Sequence, residues 1–208
     1  MNIRVKKLVV GPVRTNCYIV YQEDRKEAVI IDPGDQTEEI SRKITEYGVV
    51  PIAILLTHGH FDHIGAAESL KRLYDIPVYA YETEREILTT EKNLGSMVGM
   101  RGLYLEADTY LTDNQLISLG GMDFKVLSTP GHTVGSCCYL LEEEEVLFSG
   151  DTLFHYSHGR TDFPTGSQSA IIRSIRERLM TLKDDIFVYP GHEGETIIGN
   201  ERQLYDYN

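Results

Sequence analysis

Thr57-His58-Gly59-His60-Phe61-Asp62-His63 places three histidines and an aspartate within six residues. The segment follows Pro51-Ile52-Ala53-Ile54-Leu55-Leu56, a short apolar run that predicts a buried strand. In an extended or loop segment, residues two apart lie on one side. His58 and His60 can therefore grip one cation together while Asp62 and His63, past the bend, face another. So dense a cluster points to metal chemistry rather than to a polar turn with incidental histidines.

Working outward, three more apolar runs end in a glycine followed at once by a residue that can ligate a metal. They are Val126-Leu127-Ser128-Thr129-Pro130-Gly131-His132, Val146-Leu147-Phe148-Ser149-Gly150-Asp151 and Phe187-Val188-Tyr189-Pro190-Gly191-His192. Glycine permits the tight turns and close approach with which a strand end can aim a short side chain at a point shared with other strands. Four strand ends are thus expected to ring one site. Of the seven histidines, His155 and His158 fall outside these stretches and are expected at the surface or facing a substrate.

The elements between them run in the same order in both halves. Ile3–Val10, Cys17–Tyr21 and Ala28–Ile31 read as strands, and Thr37–Tyr47 as a helix with Gly48 as its C-terminal cap. A second helix, carrying Ile64, Ala67, Leu70, Leu73 and Tyr74, is expected to start just beyond His63. Ile76–Ala80 reads as a strand and Thr83–Thr90 as a short helix. Asn93–Glu106 has no clean period and reads equally as a mobile flap or as cover for the core. From Tyr110 strands return at Gln115–Leu119, Phe124–Ser128, Ser136–Leu141 and Glu145–Ser149, followed by a helix over Ala170–Leu182 and a strand at Ile186–Tyr189. Strands first and helices after, twice over, imply an α+β fold of two packed sheets with helices outside.

A chain of 208 residues can bury a substantial core and fits one domain, 1–208, better than two. Its formal charge of -12 opposes surface-wide attraction to nucleic acid or to an anionic membrane. The N-terminal residues lack the pattern of a signal peptide and no apolar run reaches membrane-spanning length, so a cytoplasmic location is expected. Three cysteines, with Cys137 and Cys138 adjacent and pointing to opposite faces of a strand, read as buried free thiols. The sequence sets no oligomeric state.

His58-Gly59-His60-Phe61-Asp62-His63, followed by His132, Asp151 and His192 in that order and spacing, resembles the metallo-beta-lactamase fold superfamily, in particular the glyoxalase II-like hydrolases. The resemblance implies an αββα sandwich. It also implies His58, His60 and His132 on one metal, Asp62, His63 and His192 on a second, and Asp151 bridging both. Asp32, in the turn Asp32-Pro33-Gly34, reads either as a simple strand-ending turn residue or, as the resemblance implies, as a family residue behind the site that would orient a ligand histidine. Two divalent ions, two carboxylates and a bridging hydroxide leave about one net positive charge, which favours an oxyanion. Asp62 would orient the hydroxide, and a thioester is an easy substrate because its thiol leaving group ionises near ~8.5. Zinc is the expected metal, with iron or manganese also suited to His and Asp ligands.

Full-length glyoxalase II proteins carry a C-terminal helical domain, whereas here only Glu193–Asn208 follow the last ligand. A small acyl thioester is therefore expected as substrate in place of S-lactoylglutathione, with Tyr104, His155 and Arg160 as cleft residues. The run Gly159-Arg160-Thr161-Asp162-Phe163-Pro164 resembles one shared with persulfide dioxygenases. The rival reading is thus a single-iron oxygenase using His58, His132 and Asp151. A beta-lactamase is a weaker alternative, since many of those enzymes have cysteine or no bridging ligand where this chain has Asp151. A metal-stabilised binding module is disfavoured, because structural zinc sites are closed and cysteine-rich.

Overall fold

Alternation along single strands sets the layers of the molecule. In β2 (Thr15–Gln22), Cys17 and Ile19 pack with Ile40, Ile44 and Leu70 on one side, while Tyr18 and Val20 pack with Phe124, Val126 and Phe148 on the other. In β9 (Cys137–Leu141), Cys137, Tyr139 and Leu141 enter that same middle cluster, and Cys138 and Leu140 join a third with Ile171, Ile175 and Leu179. Each such side chain contributes about 1.5–3 kcal/mol when buried. A one-residue slip would turn the whole set to the wrong face, so the register is strongly specified.

The structure, a computed structural model, describes residues 3–206. The first sheet runs β1 (Ile3–Val10), β2, β3 (Glu27–Ile31), β4 (Val50–Leu55), β5 (Val78–Tyr81) and β6 (Thr109–Leu111), with neighbours in chain order. The second runs β7 (Leu116–Leu119), β8 (Met122–Ser128), β9, β10 (Val146–Gly150), β11 (Phe187–Pro190) and β12 (Thr196–Ile197). Outside the first sheet lie α1 (Thr37–Tyr47) and α3 (Ala67–Tyr74), with α2 (Phe61–Ile64) and α4 (Arg85–Leu88) as short turns nearer the site. Outside the second lie α5 (Gln168–Ser174) and α6 (Ile198–Asp206). This is the αββα sandwich expected from the sequence. Among the described residues no helix is long and apolar enough to cross a membrane.

Several element boundaries differ from the sequence reading. The helix expected just beyond His63 is split in two: the turn α2 begins at Phe61 and takes in Asp62 and His63, and α3 begins only at Ala67. The helix expected over Ala170–Leu182 gives way after Ser174 to a π-helical turn at Ile175–Leu179, where the Met180 amide donates to the Ile175 carbonyl at 2.8 Å. Ile171, Ile175 and Leu179 are buried, while Ile172 and Leu182 are only partly so. β12 and α6 lie beyond Ile186–Tyr189, the last element that the sequence pattern predicts.

Strand direction decides where the site falls. β8–β9 and β9–β10 are antiparallel and β10–β11 is parallel, so β8, β10 and β11 all run the same way. In the first sheet β3 and β4 are likewise parallel. Hydrogen bonds between the sheets then hold these carboxyl ends together. The Cys137 amide donates to Thr57 O at 2.9 Å, Tyr139 Oη to Leu56 O at 2.7 Å, the Asn16 amide to Gly191 O at 2.7 Å, and Tyr18 Oη to Pro190 O at 2.6 Å. At about 1 kcal/mol net apiece these bonds add modest stability, but unlike apolar burial they are directional and fix the alignment of the two sheets.

Candidate metal centre

The loop after β4 delivers His58 and His60, and the turn α2 delivers Asp62 and His63. His132 follows β8, Asp151 follows β10 and His192 follows β11. Their side chains converge as three overlapping groups, each with its ligand-type atoms within 4.8 Å of one another: His58, His60 and His132; His58, His63 and Asp151; and Asp62, His63 and His192. Asp151 stands between them, with Oδ1 3.4 Å from His63 Nε2 and Oδ2 3.5 Å from both His132 Nε2 and His192 Nε2. Only glycine fits at position 191, because a Cβ there would stand 2.2 Å from Asp151 Oδ1.

Hydrogen bonds from behind fix how the histidines are presented. Asp32, buried and held at a φ of 50°, accepts from the Thr57 amide (2.8 Å), from Thr57 Oγ1 (2.6 Å) and from His63 Nδ1 (3.0 Å). Having given its proton to Asp32, Thr57 Oγ1 can only accept from His58 Nδ1, 3.2 Å away. His132 Nδ1 donates to Arg160 O at 2.7 Å. In His58 and His63 the Nε2 atom is thereby left facing into the site, while His132 Nε2 lies 2.8 Å from His60 Nδ1. Thr15 Oγ1 donates to Asp62 Oδ2 at 2.8 Å and anchors that carboxylate.

The fit to metal ions rests on atoms that nothing in the protein satisfies. His58 Nε2, His60 Nε2, His63 Nε2 and Asp151 Oδ1 are buried without a hydrogen-bond partner. A buried polar atom left unpaired costs about 1–3 kcal/mol, so four together demand a partner from outside the chain, and histidine nitrogens with carboxylate oxygen make a good donor set for a divalent cation. The electrostatics agree. Burial lowers His58 far below the usual histidine range and takes His60 to about 3, which keeps both rings neutral. At His63 burial works downward but is outweighed by Asp62, Asp151 and Asp32, which raise it well above that range. The carboxylate side of the site draws positive charge.

Above this floor opens a cleft of about 360 Å³, lined by Val13, His60, Phe61, Asp62, Leu94, His132, Asp151, Phe154, Arg160, Phe163 and His192. Of the three residues expected in the cleft, only Arg160 lines it. Its guanidinium, paired through Nε and Nη2 with Asp162 at 2.7 and 2.6 Å, lies 4.0 Å over the Phe163 ring. Tyr104 is not among the lining residues; it is half exposed and its hydroxyl donates to Glu91 at 2.5 Å. His155 is also outside the lining, with its ring centroid 4.2 Å from that of Tyr156. From the Asn93–Glu106 segment it is Leu94 that reaches the cleft. That segment is tied down by Asn93, whose amide donates to Leu103 O and whose Oδ1 accepts from the Gly95 amide, while Met97 and Val98 stay exposed. The apolar walls, and Thr15 behind Asp62, carry no signal in the sequence that sets them apart from core residues.

Fold and site together define a two-sheet protein with a candidate metal centre at its strand ends. The model of the metallo-beta-lactamase superfamily matches residues 10–192, and the chain belongs to that superfamily. It is 34% identical over 206 residues to hydroxyacylglutathione hydrolase GloC of Haemophilus influenzae, covering 98% of this chain and 96% of the relative. Among solved structures, BLEG-1, a B3 metallo-beta-lactamase, matches with a TM-score of 0.91 and 39% identity, over 96% of this chain and 97% of the other. TTHA1623 in a di-iron-bound form matches with a TM-score of 0.87 and 33% identity, over 98% and 100% respectively.

Proposed function

We propose that this protein hydrolyses small acyl thioesters at a centre of two divalent metal ions, with His58, His60 and His132 holding one, Asp62, His63 and His192 the other, and Asp151 serving both. The observation that carries the reading is the set of four unpartnered buried atoms, three histidine nitrogens and one carboxylate oxygen, at the floor of an open cleft. Two bound ions would supply a Lewis acid for the substrate carbonyl and lower the pKa of water toward ~7. The donor set suits zinc, and also iron or manganese; the di-iron form of TTHA1623 lends weight to iron.

The rest is done by the chain. Asp62, anchored by Thr15, is placed to orient the attacking water. Asp32 and Arg160 O hold His63 and His132 in the tautomer that faces inward. Phe61, Leu94, Phe154 and Phe163 line the space for the acyl and thiol portions. The GloC relative, which matches over nearly its whole length, supports a thioester as substrate. A second reading, hydrolysis of the amide of a beta-lactam, is favoured by the likeness to BLEG-1.

The test follows free thiol release from several thioesters, ring opening of a beta-lactam, and oxygen uptake with glutathione persulfide. Thiol release without oxygen uptake is the expected result. Ring opening alone selects the second reading, and oxygen uptake without thiol release overturns both in favour of an iron dioxygenase.

A further inference from the structure

Glu84 lies in a short 3-10 turn between β5 and α4, completely buried, and its partners are uncharged. Its Oε1 accepts from the Gly59 amide at 2.8 Å, and its Oε2 from Thr133 Oγ1 at 3.0 Å. Thr133 is itself fixed by Ser136, whose Oγ lies 2.7 Å from Thr133 Oγ1 and accepts from the Thr133 amide at 3.0 Å. The fit is close: a Cβ on Gly135 would come within 2.4 Å of Glu84 Oε2. Gly59 separates His58 from His60, and Thr133 follows His132. One carboxylate thus grips two loops, one from each sheet, at the point where each carries its histidines.

We propose that Glu84 is a positioning residue for the group His58, His60 and His132, clamping the loop after β4 to the loop after β8. The proposal rests on reading that group as metal ligands. The three rings form a nearly equilateral triangle, with centroids 4.8 Å apart for His58 and His60 and 4.7 Å for His58–His132 and His60–His132. Holding Gly59 by its amide fixes the backbone between two of the rings, and holding Thr133 fixes the third. Burial pushes the Glu84 carboxyl up to about 7 against the pull of its donors, so the clamp is kept at an energetic cost. An apolar residue would fill the same space without that cost, which separates a positioning role from mere packing.

The test compares wild type, Glu84→Gln and Glu84→Ala, each stripped of metal and titrated with zinc against a chromophoric chelator. Thermal unfolding is followed with and without zinc. Wild type is expected to take up two zinc ions. In the variants one ion is expected to bind about 10–100-fold more weakly, and the zinc-loaded form to lose more of its melting temperature than the stripped form. Wild-type affinity for both ions in a folded variant overturns the proposal, as does an equal loss of melting temperature in both forms, the mark of a purely structural role. If neither Glu84 variant folds, Thr133→Val, which takes the hydroxyl from Glu84 Oε2 and from Ser136 Oγ together, is expected to give a smaller loss of zinc affinity, and no loss overturns the proposal. Failure of wild type to bind two zinc ions would instead sink the two-metal reading itself.

Discussion

At the floor of the cleft four of the seven ligand-type side chains are held from behind. His58 and His63 are tied to Asp32, directly or through Thr57, His132 to Arg160 O and Asp62 to Thr15, and Asp151 is only 8% exposed. At the rim the contacts are looser. Val13 is 45% exposed, and Arg160 answers to its own neighbour Asp162. The floor uses residue types that few others could replace, because each must present a lone pair in one direction. The rim uses apolar groups whose shape counts and whose identity can vary. Chemistry is therefore fixed by the floor, and choice of substrate is left to the rim.

The contrast can be broken most directly at Asp151. Asp151→Ala is expected to lower kcat/KM for a thioester by about 10³-fold or more, roughly 4 kcal/mol of transition-state stabilisation. It should also shed one metal ion by elemental analysis while circular dichroism stays that of the folded protein. Wild-type turnover in this variant would remove the bridging role. Asp32→Asn keeps the shape but loses the charge that takes three hydrogen bonds, and a loss of about 10–100-fold in metal affinity is expected. If chelator competition shows no change, the floor is less tightly held than its geometry implies.

The rim predicts smaller effects. Phe163→Ala removes one apolar wall and is expected to cost about 1–2 kcal/mol in kcat/KM, mainly through KM, with metal content unchanged. Loss of metal from that variant would blur the division between floor and rim. Smallest of all, Tyr104→Phe deletes a hydroxyl that points to Glu91, and KM should stay within about twofold. A larger shift in KM would bring Tyr104 back toward the substrate.

What the sequence discloses follows the same division. The pattern of glycine followed by a ligand-type residue marks all four strand ends, because no strand needs histidine or aspartate there for packing. The alternation of Cys137 and Cys138 between the faces of β9 is equally plain. Glu84 stays hidden, because it sits between Glu82 and Glu86 in a stretch that looks uniformly exposed, and its burial depends on Thr133 and Gly135 from the other half of the chain. Tyr104 and His155 mislead for a related reason: chain proximity to a site does not tell which way a side chain turns. The π-helical turn at Ile175–Leu179 breaks a helical period that the sequence carries without interruption.

Strand order within the sheets has a consequence for how the molecule comes to its active form. Each sheet is assembled from strands adjacent in the chain, the first complete by Leu111 and the second begun only at Leu116. Hydrogen-bonded strand neighbours therefore all lie within one half of the chain. Each of the three ligand groups among the described residues takes at least one member from the second half, be it His132, Asp151 or His192. Neither half alone offers a complete group to a metal ion, and during synthesis the first half emerges with its histidines still short of a partner. A complete ligand group therefore exists only where the two halves pack together.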